Sequence, residues 1–142
     1  PVVPVCGLEA MALSAGEFRV LSLLDARMGE VYAAAYERRA GSLELQGEIR
    51  VGPPATLDLP AGGNWFACGN ALAAYPDLAG RLHAAGFPLV PEILPQAAAV
   101  ALLAAHRLAQ GAGSDPALAA PIYVRDKVAK TIRERLDAGG KA

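Results

Sequence analysis

With 142 residues the chain is long enough for one domain with a real core, and a net charge of −1 supplies no field that would draw it onto nucleic acid or an anionic membrane. Tight binding of RNA by this chain alone is therefore not expected. Its two cysteines, Cys6 and Cys68, form neither a disulfide framework nor a zinc pattern, which fits a reducing compartment.

Val2 to Val5 reads as a short β-like run between prolines, and Leu8 to Ala15 as a weak helix ending before Gly16. Val20 to Leu24 is almost continuously apolar, as a central strand buried on both faces would be. From Glu30 to Arg38, Tyr32 and Tyr36 share one face and Val31, Ala33 and Ala35 the other. Between these runs, Asp25 to Gly29 reads as a hairpin turn. Its chemistry is richer than a turn needs, with an acid, a base and a methionine and Gly29 as the only permissive residue. Asp25 is expected to end the central strand, with Arg27 and Met28 exposed at the tip.

Leu43 to Val51 alternates cleanly, with Leu43, Leu45, Ile49 and Val51 opposite Glu44, Gln46, Glu48 and Arg50. It predicts a strand with one wet face at a sheet edge, and Gly47 marks a bulge. A brief helix is expected at Ala55 to Leu59 and a short strand at Trp65 to Cys68. Asn70 is placed to cap the next helix, which Tyr75-Pro76 interrupts and Asp77 recaps before Gly86. Phe87 to Val90 reads as another strand. Pro95 suits the first turn of a helix over Gln96 to Gln110, apolar nearly all round and so expected to be buried. The apolar stretch from Ile93 to Ala105 is too short to span a bilayer.

Three meander strands followed by helix, strand, helix, strand, helix predict an α/β fold. Its mixed five-stranded sheet has an antiparallel half and a parallel half, flanked by helices. That order is the one of a ribonuclease-H-like lobe, the unit repeated in actin-like ATPases. Residues 1–16 read as a lead-in strand and helix, 17–111 as the lobe and 112–142 as a tail.

Asp25, Arg27 and Glu30 have two readings: a contact or cleft surface, or a local ion pair that steadies the hairpin. Gly69-Asn70 follows a strand and opens a helix, a place that attracts anions and lies near the nucleotide in actin-like folds; the plainer reading is an Asn cap. His83 and His106 are far apart with no clustered carboxylates, so a structural role is expected for both. No serine lies in a nucleophile elbow and neither cysteine has an evident activating histidine. No catalytic or metal-binding residue is therefore assigned. Tyr123, between Ile122 and Val124, is expected to dock on the body or on a missing neighbour. The charges from Arg125 onward read as a solvated terminal helix or as a surface that touches transfer RNA or a partner.

Three segments together resemble the TsaB/YeaZ family: Gly7-Leu8-Glu9-Ala10-Met11-Ala12, the phrase Asp25-Ala26-Arg27-Met28-Gly29-Glu30-Val31-Tyr32, and Pro121-Ile122-Tyr123-Val124-Arg125-Asp126-Lys127-Val128-Ala129. The family's opening acidic loop and its Gly-Pro-Gly-Ser-Phe-Thr-Gly segment do not occur in this sequence, and the chain starts at Pro1. The resemblance thus implies the C-terminal lobe of such a protein, with the N-terminal lobe absent.

It implies a cytoplasmic, noncatalytic scaffold that supports TsaD in threonylcarbamoylation of the tRNA adenosine beside the anticodon. TsaE is the further partner, and tRNA is engaged indirectly. The alternative is a glycoprotease-type hydrolase or an actin-like nucleotide-binding enzyme whose site needs the other lobe. No cofactor is expected on the fragment itself; nucleotide would require both lobes. Self-association of the fragment, through surface that would face the other lobe, is also expected.

Overall fold

The computed structural model describes residues 1–124. The chain enters helix α1 (Gly7–Ala15) and passes through β1 (Arg19–Arg27), β2 (Glu30–Arg39) and β3 (Ser42–Gly52). A 3-10 turn at Pro54–Thr56 leads to β4 (Phe66–Cys68), α2 (Ala71–Ala74), α3 (Pro76–Ala84), β5 (Leu89–Val90) and α4 (Ala97–Ala109). The sheet order is β3-β2-β1-β4-β5. β1, β2 and β3 pair antiparallel, whereas β4 runs parallel to β1 and β5 parallel to β4. This is the mixed five-stranded sheet that the element order predicts, with β1 at its centre and β3 at an edge.

Both faces of β1 are covered, which is why its apolar run is nearly unbroken. On one face Leu21, Leu23, Val31, Ala33 and Ala67 pack beneath Leu72 of α2 and Leu78 and Leu82 of α3. On the other, Val20, Ala34, Tyr36 and Cys68 pack against Leu8, Met11 and Ala12 of α1. Gly47 has a φ of 80°, and β3 slips in register there, so that Ala33 faces Arg50 but Ala35 faces Gln46. The bulge lies where the interrupted alternation puts it.

Several local expectations are corrected. The run Val2 to Val5 is no strand; it makes a single bridge from Val2 to Ser114. The helix expected at Ala55 to Leu59 is one 3-10 turn. Pro95 lies before the N-cap Gln96, outside the first turn of α4. Asp77 does not cap α3, because Pro76 already starts the helix and Asp77 falls inside its first turn. Helix α4 is the largest departure: only Ala99 is buried, and Leu102 is 65% exposed. α1 already occupies that face of the sheet, so α4 packs on α1 as an outer layer with one side covered. Ile122 is exposed, and Tyr123 is 79% exposed and does not dock on the body. Arg125 and the remaining tail charges lie outside the described residues. Among the described residues no helix is long and apolar enough to cross a membrane.

Two side-chain clamps hold the outer pieces. Arg107 of α4 reaches both oxygens of Glu9 on α1, at 2.6 and 2.7 Å, and also the carbonyl of Pro4. Arg81 of α3 donates to the carbonyls of Pro54, Ala55 and Leu57, and so fixes the loop before β4.

Two outcomes are expected. Gly69 has a φ of 118°, and a Cβ there would lie 2.0 Å from the Leu23 carbonyl oxygen. Gly69→Ala should cost more than ~3 kcal/mol through overpacking and backbone strain together, measured by urea unfolding. The Glu9 side chain is 9% exposed and that of Arg107 32%. Arg107→Met should cost about 2 kcal/mol by stranding a buried carboxylate, reduced by the partial exposure of the arginine. Glu9→Leu combined with Arg107→Met should recover most of that loss.

Candidate functional site

The β1–β2 hairpin bends sharply at its end. β1 continues to Arg27, two residues past the expected stop at Asp25, with a register shift between them. Arg27, Met28 and Gly29 all have positive φ, at 62°, 56° and 76°. A two-residue turn of this kind favours Asn-Gly, and a side chain with a Cβ is strained there. The side chains remain outside: Met28 is 65% exposed and the Arg27 side chain 88%. The expected exposed tip is present.

Beneath the tip Asp25 gathers a set of contacts. Its N–H donates to Asn70 Oδ1 at 2.9 Å. Its Oδ1 accepts the Arg27 N–H at 2.9 Å and lies 2.9 Å from the Tyr75 hydroxyl. That hydroxyl is also 2.9 Å from the carbonyl of Glu30, so its one proton is shared between two acceptors. Arg27 Nη1 sits 3.4 Å from Asp25 Oδ2. The local ion pair therefore forms, but as one part of a larger brace that joins both hairpin strands to the β4–α3 segment.

Asn70 is spent on this brace. Its side chain makes no capping bond, and α2 is only 4 residues long, so the cap reading is corrected. Gly69 serves close approach: its N–H reaches the Val90 carbonyl while its Cα lies against Leu23. Tyr75 is the member that reading the sequence missed. An aromatic placed before Pro76 between two short helices is the available signal.

The remaining candidates do not converge. His83 and His106 stand in the last turns of α3 and α4, suited to the helix dipole. Among the described residues no group of three or more His, Cys, Asp or Glu side chains is arranged as a metal site would need. Burial pushes the Cys68 thiol up to about 11, although the Ser22 hydroxyl 4.0 Å away opposes this. A thiol so raised is a poor nucleophile.

The Arg27 N–H, then the Tyr75 hydroxyl, hold the Asp25 carboxyl below its ordinary value of 3.8. A lowered acid contributes stability that is present above the ordinary value and lost as pH falls through the lowered one. Partial burial, then the hydrogen bond to Asp25, raise the Tyr75 hydroxyl above its ordinary 10.0. That contribution is present below 10.0 and lost as pH rises through the raised value. Tyr75→Phe should therefore move the Asp25 titration, followed by carboxyl-carbon NMR, upward toward 3.8 and weaken the hairpin across the neutral range. An unmoved titration would show that Tyr75 does not hold the carboxylate.

No family profile matches the chain. The tRNA threonylcarbamoyladenosine biosynthesis protein TsaB of Escherichia coli (strain K12) is 31% identical over 137 residues, covering 91% of this chain and 59% of that protein. A Pseudomonas aeruginosa structure described as similar to peptidase YeaZ superposes with a TM-score of 0.75 at 31% identity, covering 88% of this chain and 59% of that one. A second, described as YeaZ from Pseudomonas aeruginosa, gives a TM-score of 0.74 at 30% identity and covers 87% of this chain and 59% of that one. The chain thus spans about three-fifths of the length of these relatives. The shared fold is the actin-like, ribonuclease-H-like one that the strand order predicts. By sequence and by fold alike, this chain is similar to the TsaB/YeaZ proteins over most of its length.

Proposed function

We propose that this chain acts in threonylcarbamoyladenosine formation in transfer RNA, as the C-terminal lobe of a noncatalytic subunit that supports TsaD. The observation that carries the reading is the 31% identity to E. coli TsaB across 91% of the chain. A net charge of −1 agrees with indirect rather than direct engagement of tRNA.

The braced hairpin is the contact surface in this reading. Two consecutive non-glycine residues in the left-handed region cost roughly 1–2 kcal/mol each. The fold makes little use of their side chains, because Met28 is exposed and, among the described residues, Arg27 pairs only with Asp25. A partner such as TsaD or TsaE would find an apolar knob beside a cation, presented rigidly by Asp25, Glu30 and Tyr75. Asn70 and Gly69 serve as the base of that support. Tyr123 and Arg125 would add a second contact from the tail.

The test replaces the matching segment of E. coli TsaB with this chain and measures threonylcarbamoyladenosine in digested tRNA. The chimaera should restore the modification. Arg27→Ala with Met28→Ala should reduce it several-fold and weaken TsaD capture while leaving thermal unfolding unchanged. A folded chimaera that restores nothing would overturn the functional reading. Full modification by the double variant would overturn the contact surface alone.

A further inference from the structure

We propose that the groove between α1, α4 and the β2–β3 turn is a binding site for an organic monocarboxylate with an apolar body. The groove encloses about 330 Å³. It is lined by Leu13, Leu43 and the exposed Leu102 on its apolar side and by Arg38, Ser42 and His106 on its polar side. That volume suits a small ligand rather than a protein segment.

Arg38 carries the argument. Side chains alternate along β2, and Ala34 and Tyr36 pack on the α1 face of the sheet. Arg38 therefore shares that face, opposite Leu43 in the ladder. Every other described arginine has a partner for its guanidinium. Arg19 and Arg39 hold Glu37, Arg27 holds Asp25, Arg50 holds Asp58, Arg81 holds loop carbonyls and Arg107 holds Glu9. Among the described residues Arg38 alone spends only its backbone N–H, on the Phe18 carbonyl.

The one carboxylate in the groove is Glu9, and both its oxygens are taken by Arg107. Among the described residues the half-buried Arg38, beside these leucines, is left without a counter-charge, an arrangement that an entering anion relieves. Ser42 supplies a hydroxyl beside it whose side chain makes no hydrogen bond among the described residues. One arginine without a partner among the described residues calls for one negative charge. The wall nearest the rim is the last turn of α4, whose carbonyl end disfavours a doubly charged group such as phosphate. The leucines then select an aliphatic or aromatic body over a small polar acid.

Octanoate is the probe, titrated calorimetrically into the chain, with octanol, octylammonium and acetate as comparators. Octanoate should bind saturably in the millimolar range or below, and the three comparators should not. Amide NMR shifts should concentrate at Gly41, Ser42 and Leu43. Arg38→Met should weaken octanoate about tenfold or more, whereas Arg38→Lys should retain most of the affinity. Should Arg38→Met fail to fold, the comparators and Arg38→Lys still decide the matter. Equal binding of octanol and octanoate, equal affinity of wild type and Arg38→Met, or no saturable binding at all would each overturn the proposal.

Discussion

The seating of the Gly69-Asn70 turn against the end of β1 is the constraint on which the rest depends. β4 can pair parallel to β1 only if the chain leaves the sheet at once, without a side chain in the way. Gly69 allows this, because its Cα lies flush on the Leu23 carbonyl and its φ of 118° is costly for any other residue. The Asn70 side-chain oxygen then accepts the Asp25 N–H, which ties the parallel half of the sheet to the antiparallel half just before the hairpin bends. Tyr75 completes the link from the far side of α2.

Polar side chains do the joining elsewhere as well. Glu37 is buried on β2 and is held by Arg19 and Arg39, while Arg19 lies over Trp65 at 5.7 Å from the ring centre. Arg81 gathers three carbonyls of the loop that has no strand to pair with. The Glu9–Arg107 pair fastens α4 to α1. In each case the charge is satisfied by several partners, which offsets the cost of removing it from water. Much of the apolar surface is alanine, which packs closely but contributes little area per residue. These clamps therefore position helices that burial alone would leave loosely placed.

The same economy separates structural from exposed chemistry. Asp25 looks like a functional acid, yet most of its contacts serve the hairpin. What it supports, Arg27 and Met28, faces solvent in a left-handed conformation that the turn demands and that their side chains make costly. The groove under α4 shows the complementary case, where one arginine of the described set remains without a partner.

How much could be read in advance follows from the range of each interaction. The continuous apolar run of β1, the two-residue alternation of β2 and β3, the break at Gly47 and the stop at Gly16 are local signals. They specified the strands, the bulge and the mixed sheet. The three family-like segments specified the kinship. The brace did not show, because Asp25, Asn70 and Tyr75 are separated by up to 50 residues and none lies in a spacing pattern. The exposure of α4 did not show either: its composition says that it is apolar, not that α1 has already taken the face it would have covered. Local periodicity determined which elements form and which of their faces are apolar. Only the tertiary structure decided which of those faces were left open and which polar groups met across them, since both depend on contacts between segments remote in the chain.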